Sequence, residues 1–316
     1  MPKRAITGGV VGVFFLGVAV WAYARHVAPR WLEAARLRVA VPALPSDWEG
    51  VRIAHLTDFH VGGRGVRLDM LWRARRIAEA FGPDIIALTG DFYDRGRPVP
   101  DGGLFVGWPD SAVVVGVLGN HDNRGSAEDQ KTLRERLAAG GVHVLKNDAV
   151  VIPLRERCAW IVGVDDPFTF RADITTAITA MPSNAEALLL LAHSPAIAND
   201  LPIGRARLVF SGHTHGGQIR VLPSGRVPFA GMLRRMAHEQ PGNDPVFYRG
   251  VRWLRGSLVV VSNGLGMSEL PLRFLTRPQV VLIEIVRGPE NGASCDEAAR
   301  YVTRLDPPSR LLRWLS

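Results

Sequence analysis

The sequence predicts an α/β fold built in layers around a two-sheet core. Three observations carry that prediction. From residue 51 to about 139, apolar runs of strand length alternate with segments of helical period. Further runs of strand length then cluster between 142 and 164 and again late in the chain. Several runs end in a short polar group containing Asp, Asn or His. Alternation fits a sheet covered by helices, and the later clustering fits a second sheet. The chain has 316 residues, 47% hydrophobic and 22% charged, enough for one large domain and an appendage.

The appendage comes first. Ala5 to Ala24 is twenty residues without a charge. As a helix this run spans the roughly 30 Å hydrocarbon core of a bilayer. Trp21 and Tyr23 stand at one end, where an aromatic belt belongs. Residues 1–24 are expected as a transmembrane anchor. The competing reading is a signal peptide, with Lys3 and Arg4 in front and Ala22-Tyr23-Ala24 as its cleavage site. The run is long for a signal, which favours the anchor and a single pass through the inner (cytoplasmic) membrane. Lys3 and Arg4 precede the run, and Arg25, Arg30, Arg36 and Arg38 follow it, so the positive-inside rule assigns no side. Residues 25–50 read as a juxtamembrane linker. Their stretch 25–39 is either a linker helix or an amphipathic segment lying on anionic headgroups.

The body follows, over 51–287. Val51–Thr57 is a strand run ending in Asp58-Phe59-His60. Residues 66–81 have Val66, Met70, Ile77 and Phe81 at helical spacing, and Gly82-Pro83 ends that helix. Asp84–Thr89 is a strand leading to Gly90-Asp91. Residues 95–110, rich in Gly and Pro, form a loop. Ala112–Leu118 leads into Gly119-Asn120-His121-Asp122. Ser126 is an N-cap for a helix over 126–139, with Asp129 three residues on. Strands are expected at 142–146, 149–154 and 159–164, and a helical segment at 175–181. Ala187–Ala192 leads into His193, and Leu208–Ser211 into Gly212-His213-Thr214-His215. Late strands fall at 257–262 and 279–286. A tail occupies 288–316, polar at first and ending in a short basic, apolar segment, Arg310–Leu315, that is either disordered or in contact with the membrane.

The polar groups at the strand ends carry the chemistry. Asp58, His60, Asp91, Asn120, His193, His213 and His215 are seven ligands suited to two adjacent divalent cations, and His121 is left to act on a substrate. Residues two apart on a strand share a face, so Asp58 with His60, and His213 with His215, converge if strand geometry persists. Asp91 suits a bridge between the cations. Two cations roughly 3.5–4 Å apart clamp the attacking and leaving oxygens of a phosphoryl displacement. A His/Asp/Asn set without thiolate suits Mn, Fe or Zn better than Mg or Ca.

With these motifs the chain resembles the calcineurin-like metallophosphoesterases. That pattern is Asp-x-His, Gly-Asp-x-x-Asp, Gly-Asn-His-Asp/Glu, His and Gly-His-x-His. Here it reads DFH at 58–60, GDFYD at 90–94, GNHD at 119–122, His193 and GHTH at 212–215. The resemblance implies a four-layer α/β/β/α sandwich over 51–287 with two metals at the strand ends. It implies Asp58, His60, Asp91 and His215 on one metal, and Asp91, Asn120, His193 and His213 on the other. His121 would be the catalytic histidine, oriented by Asp122. The strings GHTHGGQIR and SNGLGMSELPLRF, with the N-terminal apolar run, resemble membrane-associated bacterial phosphodiesterases. Some of these cleave the pyrophosphate of UDP-2,3-diacylglucosamine in lipid A synthesis.

Other residues read more plainly. His26, His55, His143 and His238 are surface or core histidines, and His55 faces away from Asp58. Asp94 either hydrogen-bonds the site or caps a loop. Arg273 either reaches a substrate phosphate or makes a structural salt bridge. Cys158, in an apolar run, reads as buried. Residues 231–256 are basic and aromatic, either a solvated loop or an insertion contacting headgroups or substrate. The net charge of +8 favours an anionic membrane surface, and no nucleic-acid-binding motif accompanies it. The expected function is a membrane-bound, two-metal phosphodiester or pyrophosphate hydrolase on a lipid-linked substrate. The alternatives are a phosphatase or nuclease on a soluble substrate, and a non-catalytic membrane-tethered scaffold.

Overall fold

Strands form at the apolar, β-branched runs, and their pairing decides where the polar ends meet. The computed structural model describes residues 2–42, 44–220, 248–288 and 302–304. The first sheet contains β1 (Glu33–Pro42), β2 (Arg52–Leu56), β3 (Ile85–Leu88), β4 (Val113–Gly116), β5 (Val142–Val144), β12 (Gln279–Gly288) and β13 (Val302–Arg304), in the order β13-β1-β12-β2-β3-β4-β5. The second contains β6 (Asp148–Leu154), β7 (Arg157–Gly163), β8 (Ala187–Leu191), β9 (Ala206–Ser211), β10 (Gly250–Leu254) and β11 (Ser257–Val261), in the order β10-β11-β9-β8-β7-β6.

The sheets face each other across one core, with Ile53, Ile85 and Ile283 on one side and Ile161, Leu189 and Phe210 on the other. The outer face of the first sheet packs Leu56, Ile86 and Leu282 against α2 (Leu68–Ala80) and α3 (Ala127–Ala139), through Leu71, Ala74, Leu133 and Leu137. Val162, Leu190 and Val209 cover the outer face of the second sheet, against Ala177 and Ile178 of α4 (Ile174–Thr179) and Ile197 beyond it. The result is the expected α/β/β/α layering. Ser126 caps α3 in a reciprocal capping box with Asp129. Strands β2, β3 and β4 run parallel, as do β8, β9 and β11, so their C-terminal ends carry the site.

Several expectations are corrected. Residues 33–42, expected within a linker, form β1, paired in parallel with β12 from Glu33↔Gln279 to Pro42↔Gly288. Ala35, Leu37, Val39 and Val41 are buried, the period of two of a strand and not of an amphipathic helix. The tail contributes β13, antiparallel to β1. Residues 250–254, expected in a loop, form β10, with Trp253 packed against the inter-sheet core. Cys158 is exposed, because it lies at the outer end of the β6–β7 hairpin. Arg234, Arg235, Phe247, His238 and Arg310–Leu315 lie outside the described residues.

The N-terminal helix α1 (Pro2–Ala22) exposes Val13, Phe14, Phe15, Leu16, Val18 and Trp21. It is the one helix among the described residues long and apolar enough to cross a membrane. A π-turn, Tyr23–Val27, follows it. That turn docks on the domain: the Arg273 N–H donates to the Ala24 carbonyl at 2.9 Å, Tyr23 meets the ring of Phe274, and Ala24 and Ala28 are buried.

Candidate metal centre

Each candidate ligand sits just past a strand end, and the backbone turns sharply there. Asp58, His60, Asp91, His213 and His215 all have positive φ, between 47° and 65°. The strand geometry expected to align Asp58 with His60 and His213 with His215 therefore does not persist. Left-handed turns bring these side chains together instead. Such conformations cost about 1–3 kcal/mol each in non-glycine residues and cluster at functional sites. Surrounding glycines make the room. Gly264, itself at φ +65°, faces Asp58, where a Cβ would lie 2.6 Å from the Asp58 Cβ, and Gly212 leaves space for Thr57 and Asp58.

All seven candidates converge. Asp91 is central: its Oδ2 lies 3.4 Å from His60 Nε2 and 3.3 Å from His193 Nε2. On one side, His215 Nε2 is 3.1 Å from His60 Nε2 and 3.4 Å from Asp58 Oδ1. On the other, Asn120 Oδ1 is 3.1 Å from His193 Nε2 and 2.9 Å from His213 Nδ1. The ligand atoms of Asp58, His60 and His215 lie within 4.8 Å of one another, as do those of Asp58, Asp91 and His193. His193 Nδ1 donates to the Thr89 carbonyl at 2.7 Å, which leaves Nε2 as the donor pair facing the centre.

The electrostatics match a cation site. Burial pushes His60 and His213 down to about 3, so both are neutral ligands at neutral pH. Burial opposes ionisation of Asp91, but His193, His121 and His60 outweigh it and hold its carboxyl well below the usual range. Burial also disfavours a charged His193, yet Asp91, Asp58 and Asp166 raise it well above an ordinary histidine. The negative field that holds a proton there also suits a metal cation. Burial and the neighbouring Asp91 raise Asp58, although His193 pulls the other way. Buried oxygen and imidazole donors facing one another at 3.1–3.4 Å fit divalent metal ions.

His121 stands beside this set. Its backbone N–H donates to Asp91 Oδ1 at 2.8 Å, and its ring meets that of His60 edge-on. Its Nδ1 is 3.4 Å from Asp94 Oδ1. Burial lowers His121, but Asp91 and Asp94 outweigh it, and the net shift is upward. Asp122, expected to orient His121, does another job. Its Oδ1 accepts from the N–H groups of Phe92 and Tyr93, and its Oδ2 from that of Gly119. It ties the Asp91 and Asn120 turns together, and Asp94 is the carboxylate that faces the histidine.

Among the described residues Arg273 makes no ion pair with a carboxylate within 4 Å, and its guanidinium lies 3.4 Å from His215 Nδ1, behind the ligand set. It is fully buried and donates to the carbonyls of Asn263, Gly264 and Gly266, holding the loop that walls Asp58. Gln218 clasps the same loop through Ser268 N, Ser268 O and Leu270 O, and Ile219 bridges Phe274. GHTHGGQIR and SNGLGMSELPLRF are thus two segments paired at the rim. His55 is a core residue, bonded to Thr89 Oγ1 at 2.8 Å and stacked on Phe210. Sequence reasoning missed Arg124 and Ser268, which flank His121 Nε2 at 3.3 and 3.4 Å. Arg124 follows Gly119-Asn120-His121-Asp122 closely enough to have been noticed; nothing local marks Ser268.

Comparison with known proteins agrees with this geometry. A family model described as calcineurin-like phosphoesterase matches residues 51–217, just over half of the chain. An uncharacterized metallophosphoesterase of Bacillus subtilis, YkuE, is 26% identical over 306 residues, covering 90% of this chain and 98% of its own length. The phosphodiesterase YaeI of Escherichia coli is 28% identical, covering 84% and 92%. The UDP-2,3-diacylglucosamine pyrophosphatase LpxG of Chlamydia trachomatis is 24% identical, covering 90% and 98%.

Proposed function

The chain belongs to the calcineurin-like phosphoesterase family, and on that premise we propose that it hydrolyses a phosphodiester or pyrophosphate link in a lipid-linked substrate at a membrane surface. It is a metal-dependent hydrolase. One observation carries the reading: six candidate ligand side chains converge around a seventh, Asp91, while His121 beside them keeps its Nε2 free of that set.

Asp58, His60, Asp91 and His215 would hold one cation, and Asp91, Asn120, His193 and His213 the other. Mn, Fe or Zn fits these donors best. When bound, such a pair polarises a phosphoryl oxygen and makes water nucleophilic at neutral pH. The chain's own residues do the rest. His121 Nε2 delivers a proton to the departing oxygen, and Asp94 holds the opposite ring nitrogen and favours the protonated form. Asp122 fixes the turns through three backbone N–H groups. A non-catalytic scaffold would not require this donor set with a histidine poised beside it.

The membrane part of the reading rests on α1 and on its docking. The turn after α1 is bonded to Arg273, whose guanidinium supports the wall of the site. Cleavage after Ala24 would cut at a buried residue whose carbonyl accepts from Arg273, so α1 is read as a retained anchor. The similarity to a UDP-2,3-diacylglucosamine pyrophosphatase favours that lipid as substrate and a step in lipid A synthesis. The test is a metal-supplemented screen of bis-p-nitrophenyl phosphate, p-nitrophenyl phosphate, UDP-diacylglucosamine and lysophospholipids. Diester turnover above monoester turnover supports the reading, and monoester preference points to a phosphatase. A mature protein beginning at Arg25 would exclude the anchor.

A further inference from the structure

We propose that the rim of the metal centre is itself a membrane-docking surface, so that the site opens onto the headgroup layer of an anionic bilayer. The proposal rests on the reading of α1 as a retained anchor and goes beyond it, since an anchor alone leaves the facing of the domain open.

The topology puts anchor and site at one end of the sandwich. In the first sheet, candidate ligands follow the C-terminal ends of β2, β3 and β4. Strand β12 runs antiparallel to β2, and β1 runs parallel to β12, so β1 starts at that same end. Its first residue, Glu33, pairs with Gln279. The Gln279 N–H donates at 3.0 Å to the carbonyl of Gly264, the glycine that faces Asp58. Residues 23–32 are all that separates α1 from β1, and this connection is docked on the domain. The domain therefore has little chain with which to turn its site away from the membrane.

The docked turn also meets the rim directly. Arg25 fills the seam between the loop after His60 and the rim loop. A Cβ on Gly65 would lie 2.8 Å from Arg25 Nη1 and 3.2 Å from both Met267 Cε and Pro271 Cβ. Ser268, next in the chain, has its Oγ 3.4 Å from His121 Nε2. Met267 thus lies beside the anchor's exit and Ser268 beside the histidine of the site, and consecutive Cα atoms are about 3.8 Å apart. The interfacial layer on each side of the hydrocarbon core is about 5–7 Å thick, and aromatic residues such as Trp21 and Tyr23 mark where it begins. Groups packed against Tyr23–Arg25 therefore lie at headgroup depth.

The exposed side chains at this end fit that layer. Val27 in the docked turn, Leu68 at the start of α2 and Leu270 on the rim loop are 49%, 39% and 42% exposed. Arg30 and Arg64 are exposed on the same segments. The acidic neighbours Asp69 and Glu269 are matched by Arg67 at 2.8 Å and Arg124 at 3.7 Å. Scattered apolar residues are ordinary on a protein surface. Here they gain meaning from their place around the exit of a membrane helix. Apolar side chains interleaved with arginine suit the acyl–headgroup boundary of an anionic leaflet, where the guanidinium fork meets lipid phosphate. A lipid whose phosphoryl link stays in the headgroup layer then reaches the site without leaving the bilayer.

The experiment measures depth. Full-length protein with Cys158→Ser and Cys295→Ser receives one new cysteine at a time, Leu68→Cys, Leu270→Cys, Leu16→Cys or Ile203→Cys, each labelled with an environment-sensitive fluorophore. Ile203, 74% exposed, precedes β9 at the end of the sheet away from the site and serves as the control. The labelled proteins, checked by thermal melting, are reconstituted into phosphatidylglycerol–phosphatidylcholine vesicles that carry a nitroxide on the headgroup or in mid-chain. The headgroup nitroxide should quench positions 68 and 270 several-fold more than position 203, and the mid-chain nitroxide should quench position 16. Quenching at 16 with 68 and 270 no more quenched than 203 would overturn the proposal and leave the anchor standing. Equal quenching at 68, 270 and 203 would overturn it too, because the domain would then have no preferred face. No quenching at 16 would sink the anchor reading beneath it. A blue shift at 68 and 270 that grows with protein concentration in detergent would put a second copy on this face and likewise overturn the proposal.

Discussion

Gly119→Ala puts a single methyl where the centre has no room. The added Cβ would stand 2.2 Å from Asp91 Oδ1, 2.6 Å from the Asp91 backbone nitrogen and 2.8 Å from His193 Nδ1. Ordinary contact begins at 3.4 Å, so the Asp91 carboxylate must retreat by about 1.2 Å. It cannot do so alone. Asp91 Oδ1 accepts from the His121 N–H at 2.8 Å, and the Asp91 carbonyl accepts from the His60 N–H at 2.9 Å. Overpacking of this kind costs about 1–3 kcal/mol. At roughly 2–4 °C per kcal/mol for a domain of this size, Tm should fall by a few degrees. A misplacement of about 1 Å at a catalytic centre costs about 10²-fold. The variant should stay folded, bind less than its full metal complement and lose about two orders of magnitude in kcat on bis-p-nitrophenyl phosphate. Metal analysis, thermal melting and kinetics on one preparation read all three. Gly17→Ala, where nothing lies within 4 Å, is the control. Full metal content with undiminished turnover in Gly119→Ala would refute the packing argument.

Three further outcomes are expected. Asp91→Ala should lose both cations, because its carboxylate lies between the two ligand groups; two retained equivalents by elemental analysis would remove it from that position. His121→Ala should keep its metal and turn over about 10²–10⁴ times more slowly, and wild-type rates in a metal-replete preparation would exclude it as the acid. Asp94→Asn should move the alkaline limb of the pH–rate profile to lower pH. The sign follows from Asp94 raising His121: without that carboxylate the acid loses its proton earlier as pH rises, and an unmoved limb would show that Asp94 does not act through His121.

Much of the site was legible because metal ligation needs particular side chains at strand ends, and a linear sequence displays both. Asp58, His60, Asp91, Asn120, His193, His213 and His215 each follow an apolar run, and all seven candidates come together. The reason they meet was not legible. Period-two alignment was the expected device, whereas the chain uses positive-φ turns at five of them, and a left-handed turn at Asp or His leaves no pattern in sequence. The role of Asp122 was misplaced because it rests on backbone N–H groups, which have no sequence signature. Strand β1 was a misjudged period. The arginines at 36 and 38 suggested an amphipathic surface, yet Leu37, Val39 and Val41 alternate with them as a half-buried strand requires. Ser268 meets His121 from 147 positions away, a contact that depends on the clasp between Gln218 and the rim loop.

The central claim is that Asp91 joins two cation positions whose joint occupancy makes the centre hydrolytic. Titrating Mn²⁺ into metal-free, full-length protein, with bound equivalents and bis-p-nitrophenyl phosphate turnover read on the same samples, tests it most directly. Turnover should appear only as the second equivalent binds, reach its plateau at two, and vanish with a chelator. Full turnover at one equivalent, or none at two with Mn, Fe and Zn each tried, would contradict the account.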